Sequence, residues 1–443
     1  MIIVPRPSDD VQPGAAVSAS TEAGAATDTD GAPAPTPLVE PAEGIPAVLT
    51  SASELEALAA AMAAGSGPVA VDAERASGYR YGQRAYLVQL RRTGVGTALI
   101  DPIALPDLSV LSEALHGVEW VLHAANQDLA CLAEIGLRPS ALFDTELAGR
   151  LLGRARVGLG PIVAAELGLH LAKEHSAVDW STRPLPIEWL RYAALDVEVL
   201  VDLRNQLATH LEDAGKAEWA RQEFEAVRLA PPPPRRVDPW RRLSGLHQVR
   251  DSRRLAIARE LWQTREADAK ERDISPGRVL PDPAIVAAAR AKPRSAAQLI
   301  EVPAFAGRGT RRRATFWQAA VDRALALPDT ELPPRRAPVR DTLPPPRAWG
   351  DRHPEAAARL DRVRATVRRI AAEHALPQEN LLAPDTQRRL AWAPPAPDRA
   401  AVDDFLEGAG ARRWQIALVA DELADSVRDV DAGPESPGDP GRR

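Results

Sequence analysis

The stretch Val69-Ala70-Val71-Asp72-Ala73-Glu74-Arg75 decides how the chain reads. Pro68 opens it, and Val69 and Val71 are β-branched residues suited to a buried strand. Side chains on a strand alternate faces, so Asp72 and Glu74 project to one side, and Arg75, on the other, reads as structural. Two adjacent carboxylates repel unless one is protonated or a cation bridges them. On this stretch alone two readings stand. One is a strand running out into a solvated acidic loop. The other is a pair of hard oxygen ligands for a divalent ion such as Mg²⁺ or Mn²⁺.

The surrounding sequence supplies a sheet. Residues 47–49 make a short edge strand, and Ser51-Ala52-Ser53-Glu54 is a capping box that opens a helix through about Ala63. Residues 86–90 and 97–100 are two more strands, with Gly94 and Gly96 in the turn between them. Residues 108–115 are helical, 120–123 form another buried strand, and Asn126-Gln127-Asp128 begins the next helix. Helical patterns at 147–152, 161–167 and 187–211 follow. Three strands in meander order, then strands alternating with helices, predict an α/β domain: a mixed sheet with helices on its faces.

Composition divides the chain. Residues 1–45 are acidic and poor in large apolar side chains, which predicts a disordered tail. The α/β domain spans 46–229. Four consecutive prolines at 231–234 mark a linker over 230–240. Two small all-α domains follow at 241–328 and 350–427, separated by a Pro/Arg-rich linker at 329–349, and 428–443 is a polar disordered tail. The two helical segments read as diverged copies. Each has an Arg-rich amphipathic helix, a turn with an apolar pair and a Pro-Asp, a Gly-rich turn, and a last helix holding a tryptophan, Trp317 or Trp414, that reads as core.

The net charge of −6 hides an asymmetry: −8 over 46–229 against +9 over 230–427. An acidic front and a basic back suit metal chemistry followed by a polyanion grip, or else a solvated Arg/Glu helical surface. The single cysteine, Cys131, excludes an internal disulfide framework and fits a reducing, cytoplasmic setting, with the thiol packed and inert. No apolar run of membrane-spanning length occurs, and the N-terminus lacks a signal-peptide pattern.

Three features bear on the opening pair. Asp128 heads a helix after a buried strand, where capping alone would also explain it. Tyr192-Ala193-Ala194-Leu195-Asp196 puts a phenol and an acid on one helical face at i,i+4. The loop Asp179-Trp180-Ser181-Thr182-Arg183-Pro184-Leu185-Pro186 lies just ahead of that helix. An ordered set of D-x-E, Asp and Y-x-x-x-D is what two-metal phosphoryl hydrolysis needs. Several carboxylates converge on two cations and a hydroxyl positions the attacking water.

On these residues the region 46–229 resembles the tyrosine branch of the DEDD 3′–5′ exonucleases, most closely the ribonuclease D family. Val71-Asp72-Ala73-Glu74-Arg75, His123-Ala124-Ala125-Asn126-Gln127-Asp128-Leu129 and Tyr192-Ala193-Ala194-Leu195-Asp196-Val197 match its three motifs. The helical copies resemble HRDC domains, which bind nucleic acid. The resemblance implies a ribonuclease H-like mixed sheet flanked by helices. It implies two divalent ions, Mg²⁺ or Mn²⁺, held by Asp72, Glu74, Asp128 and Asp196. Asp72, nearest the sheet's centre, is expected to bridge them, with Glu74 on one ion. Tyr192 would orient the nucleophilic water. The substrate would be single-stranded RNA 3′ ends such as those of tRNA precursors, released as nucleoside 5′-monophosphates. The chain is expected to be a cytoplasmic monomer, because the HRDC-like domains should cover their own cores. Ala73 stands where the family commonly has threonine, beside the terminal nucleotide.

Further nucleic-acid contacts are expected at Lys173, Trp180 and Arg183 around the loop and at Arg311, Arg312 and Arg313, each weighed against plain surface charge or, for Trp180, a buried anchor. His123 reads as a hydrogen-bonded structural residue. A DNA exonuclease and an inactive nucleic-acid-binding scaffold are the alternatives.

Overall fold

The structure, a computed structural model, describes residues 34–171, 177–232, 236–336 and 343–428. Of the tails expected over 1–45 and 428–443, residues 1–33 and 429–443 lie outside the described residues, as do the middle of the proline run and Lys173.

The α/β domain is built on six strands: β2 (Val48–Leu49), β3 (Ser66–Arg75), β4 (Ala85–Thr93), β5 (Gly96–Ile100), β6 (Glu119–Leu122) and β7 (Ala141–Asp144), with two further short strands elsewhere. They lie in the order β2-β5-β4-β3-β6-β7. The β3–β4 and β4–β5 pairs are antiparallel, and β2–β5, β3–β6 and β6–β7 are parallel. The mixed sheet expected from the sequence is present. Its capping box is present too: Ser51 and Glu54 cap the helix Ala52–Ala64 reciprocally. One sheet face, through Val71, Val88 and Leu90, joins Leu55, Leu58 and Met62 in the main core. The other carries Leu87 and Leu99 against Trp180 and Ala193. Ala193 sits on the helix Ile187–Glu198, which therefore lies over the face that bears Asp72 and Glu74.

Several expected boundaries shift. The stretch read as the end of an acidic tail contains β1 (Thr36–Leu38), which pairs in parallel with β8 (Leu169–Leu171). The first linker ends earlier than expected, because Trp240 is buried in the core of the middle helical domain. The second linker also ends inside a domain: Trp349 is fully buried against Leu360 and Ala391.

The two helical domains follow one plan. A long helix, Ser252–Arg272 or Pro354–Glu373, leads through shorter helices to a final helix, Ala314–Ala326 or Arg413–Val427. They differ in how they attach. The middle domain has its own core and touches the α/β domain through the loop after β3. There the Ser275 N–H donates to the Tyr79 carbonyl at 2.9 Å, and the Arg278 guanidinium stacks 4.1 Å from the Tyr79 ring centre. The last domain shares the main core, so it does not cover its own. Trp414 stacks on Trp219 at 4.8 Å, and its indole N–H donates to Glu223 at 2.9 Å. Arg412 closes the joint with two charge-assisted bonds to Glu223. Among the described residues, no helix is long and apolar enough to cross a membrane.

Candidate active site

β3 delivers Asp72 and Glu74 to the face beneath the helix Ile187–Glu198, and that helix brings Asp196 down to meet them. One carboxylate oxygen from each of Asp72, Glu74 and Asp196 lies within 4.8 Å of the others. Acids so close in a partly dry site resist ionisation. Burial, first, and then the charges of Asp72, Asp196 and Asp128 push Glu74 well above the usual carboxylate range. Burial and Asp72 do the same to Asp196, and burial raises Asp72. A site of hard oxygen donors that is costly to keep ionised fits a divalent cation, which would relieve the repulsion.

Asp128 heads the helix Leu129–Glu134, as the sequence placed it, but its side chain makes no cap. Its carboxyl is pushed up to about 8, chiefly by burial and by Asp72. It stands outside the 4.8 Å set and pairs instead with Arg75, whose guanidinium is 3.4 Å away. Strict alternation along β3 would turn Arg75 from the site. The ladder is irregular between Glu74 and Arg75, so alternation does not hold there.

Tyr192 and Asp196 share a helix face and a hydrogen bond. Burial, Asp196 and Glu74 hold the phenol far above its ordinary range, so it stays protonated and donates to the carboxylate.

Sequence reasoning missed Asp144. At the end of β7 it accepts from the Ala124 and Ala125 N–H groups at 3.1 and 2.8 Å. It also caps the next helix through the Leu147 N–H. These bonds hold the turn in which Ala124 has φ +57° and from which Asp128 departs. The available signal was an Asp-Thr after a short apolar run, an N-cap pattern. His123 is as expected: Nδ1 meets the Thr145 hydroxyl at 2.9 Å, and burial drives its pKa down to about 4, so the ring is neutral. Cys131 is buried, with its thiol on the Asp128 carbonyl.

Several expected nucleic-acid contacts are not available to a ligand. Trp180 is fully buried, with its ring 5.6 Å from Trp189, so it anchors the loop and cannot stack on a base. Arg183 spends its donors inside the protein, on Asp101 at 2.7 and 2.8 Å and on the carbonyls of Tyr86, Trp180 and Thr182. Ala73 turns into the main core on the opposite sheet face, so its side chain cannot reach a nucleotide. Arg313 is bound at both nitrogens by Asp268 and lies over Phe316. Arg311 and Arg312 are exposed at the end of the short helix Arg308–Arg312.

Comparison with known proteins agrees with this geometry. Residues 46–212 match the 3′-5′ exonuclease family, 254–321 the HRDC domain, and 342–427 a 3′ to 5′ exonuclease C-terminal domain. The last segment thus matches a different family from the HRDC domain, despite its similar helical plan. A ribonuclease D from Jannaschia sp. (strain CCS1) is 33% identical over 302 residues, covering 65% of this chain and 77% of that protein. The ribonuclease D of Escherichia coli (strain K12) is 30% identical over 273 residues, 60% and 71% of the two chains. The crystal structure of a protein from Bifidobacterium adolescentis matches with a TM-score of 0.81 and 38% identity, covering 89% of this chain and 99% of that one. The crystal structure of Escherichia coli RNase D, at 24% identity and a TM-score of 0.62 over 86% of this chain and 98% of that one, shares the fold.

Proposed function

The chain belongs to the ribonuclease D family and is a 3′–5′ exoribonuclease, and from that premise we propose that Asp72, Glu74, Asp128 and Asp196 hold two divalent cations, Mg²⁺ or Mn²⁺, while Tyr192 aims the attacking water. The observation that carries this is the convergence of three carboxylates within 4.8 Å, with a phenol donating into one of them. Asp72 would be the ligand shared by both ions. Its charge acts on Glu74, Asp128 and Asp196 alike, which is what a central position between two ions requires. Glu74 would hold one ion only. When bound, the cations supply a more acidic attacking water and positive charge for the leaving oxygen.

Tyr192 stays a neutral phenol, so it orients and does not act as the base. Its O–H is committed to Asp196, which leaves its oxygen lone pairs to accept from the water. Water attacks the last phosphodiester, the bond to the 3′ oxygen breaks, and a nucleoside 5′-monophosphate leaves. The RNA keeps a 3′-hydroxyl one nucleotide further in, ready for the next round.

The substrates are single-stranded RNA 3′ ends such as those of tRNA precursors, and the enzyme works as a monomer in the cytoplasm. The helical domains raise the local concentration of RNA at the site, with Arg311 and Arg312 as phosphate contacts. A time course on a 3′-extended tRNA, run beside matched single-stranded RNA and DNA with Mg²⁺ or Mn²⁺, tests this. The expected result is stepwise shortening of RNA by single nucleotides. A strong preference for DNA overturns the substrate assignment.

A further inference from the structure

Arg75 is the one cation shown paired with an acid of this cluster among the described residues. The sheet ladder is irregular beside it. The ladder pairs Glu74 with Leu87 and then Arg75 with Ala85, skipping Tyr86. A bulge of this kind sharpens the local twist and re-aims the side chain beside it.

The contact is loose. One guanidinium nitrogen sits 3.4 Å from one Asp128 oxygen, and the Arg75 side chain is 26% exposed. The Arg183–Asp101 pair is built differently, with the guanidinium gripping the carboxylate through two bonds of 2.7 and 2.8 Å. An arginine meant only to lock Asp128 in place would use that fork geometry. Arg75 instead lies at the edge of the group with its charge against Asp128.

We propose that Arg75 is a resident counter-ion of the acid cluster, holding Asp128 in the metal-free protein and leaving it when the carboxylates take up their full complement of divalent cations. Resting on the two-cation reading above, this makes Arg75 a positioning residue that sets how tightly the weaker cation is held. A guanidinium and a metal ion cannot both sit on one buried carboxylate without repelling each other, so each cation weakens the other's hold on Asp128.

The test uses the full chain, stripped of metal by a chelator, as wild type, Arg75→Gln and Arg75→Lys. Mn²⁺ is titrated by calorimetry and by electron paramagnetic resonance of the free ion, and thermal unfolding is followed in EDTA and in saturating Mn²⁺. Wild type should bind one Mn²⁺ tightly and a second more weakly. In Arg75→Gln the weaker dissociation constant should fall about tenfold or more, the low end of couplings between close desolvated charges. Its Tm should drop in EDTA and return to the wild-type value in Mn²⁺, and Arg75→Lys should resemble wild type. Two Mn²⁺ on wild type with unchanged or weaker constants in Arg75→Gln overturns the inference alone. So does a Tm loss that persists in Mn²⁺, which marks a purely structural residue. Fewer than two Mn²⁺ on wild type overturns the two-cation reading and the inference with it.

Discussion

Asp196→Asn should abolish catalysis and yet make the metal-free protein more stable. Asp196 is 9% exposed, and its carboxylate lies within 4.8 Å of those of Asp72 and Glu74. At that distance and an effective dielectric of about 20, one ionised pair costs about 3.5 kcal/mol. The cluster avoids part of this cost by holding protons, so the gain from removing one acid falls to about 1–3 kcal/mol at pH 8. Asparagine keeps the side chain's size, and its Oδ1 still accepts from the Tyr192 phenol. The sign follows from linkage. Asp128 titrates near 3.8 unfolded and about 8 folded, and its neighbours are raised in the same direction. Between those values the folded protein holds protons that the unfolded chain has released, so metal-free stability falls as pH rises from about 4 to about 8. The substitution removes part of that fall. Its benefit should be largest at pH 8 and shrink to under about 1 kcal/mol at pH 5, where Asp128 is already protonated and its raised neighbours are less ionised. Urea unfolding in EDTA, followed by circular dichroism at both pH values, measures the difference. A variant less stable than wild type at pH 8, or equally stabilised at both pH values, refutes the repulsive cluster.

Tyr192→Phe should lower kcat about 100-fold, since it misplaces the water, while KM for RNA and the Mn²⁺ dissociation constants stay within about twofold of wild type. Single-turnover kinetics beside a Mn²⁺ titration would check it. Trp414→Ala removes the stack on Trp219 and the bond to Glu223, and should cost about 3–5 kcal/mol in urea. Because the last domain shares its core with the α/β domain, both should unfold in one transition; two separated transitions would contradict the shared core. Replacing Arg311 and Arg312 together by alanine should weaken RNA binding and flatten its salt dependence by about 0.7 log unit per log unit of salt for each lost phosphate contact. Arg313→Ala should instead lower thermal stability, because its partner Asp268 is only 7% exposed.

The parts of the site readable from sequence are those fixed by short-range periodicity. Asp72 and Glu74 are two apart on a strand, Asp128 opens a helix, and Tyr192 and Asp196 are four apart on one, so local geometry sets their directions. The parts that were not readable depend on partners distant in sequence. Arg75 was read as structural, and its contact with Asp128 was not legible because that acid comes from a helix distant in sequence. Trp180 and Arg183 looked like a binding loop, but Asp101 and Tyr86 claim the guanidinium from the sheet side. The strand Thr36–Leu38 is three residues long and pairs with Leu169–Leu171, so its own composition gives no signal. The proline-rich breaks suggested linkers, but both expected linkers run into buried tryptophans, Trp240 and Trp349. That the last helical domain borrows the α/β core was not visible, because Trp219 and Trp414 are nearly two hundred positions apart.

The most direct test is diffraction from crystals grown with Mn²⁺ and a nucleoside 5′-monophosphate, with data collected at the manganese edge. The account predicts two anomalous peaks about 3.5–4 Å apart, one of Asp72's oxygens or both facing the two peaks, Glu74 on one of them, and Asp128 and Asp196 completing the set. Peaks away from these four side chains, or a single ion with Asp128 still on Arg75 at saturating Mn²⁺, would contradict it.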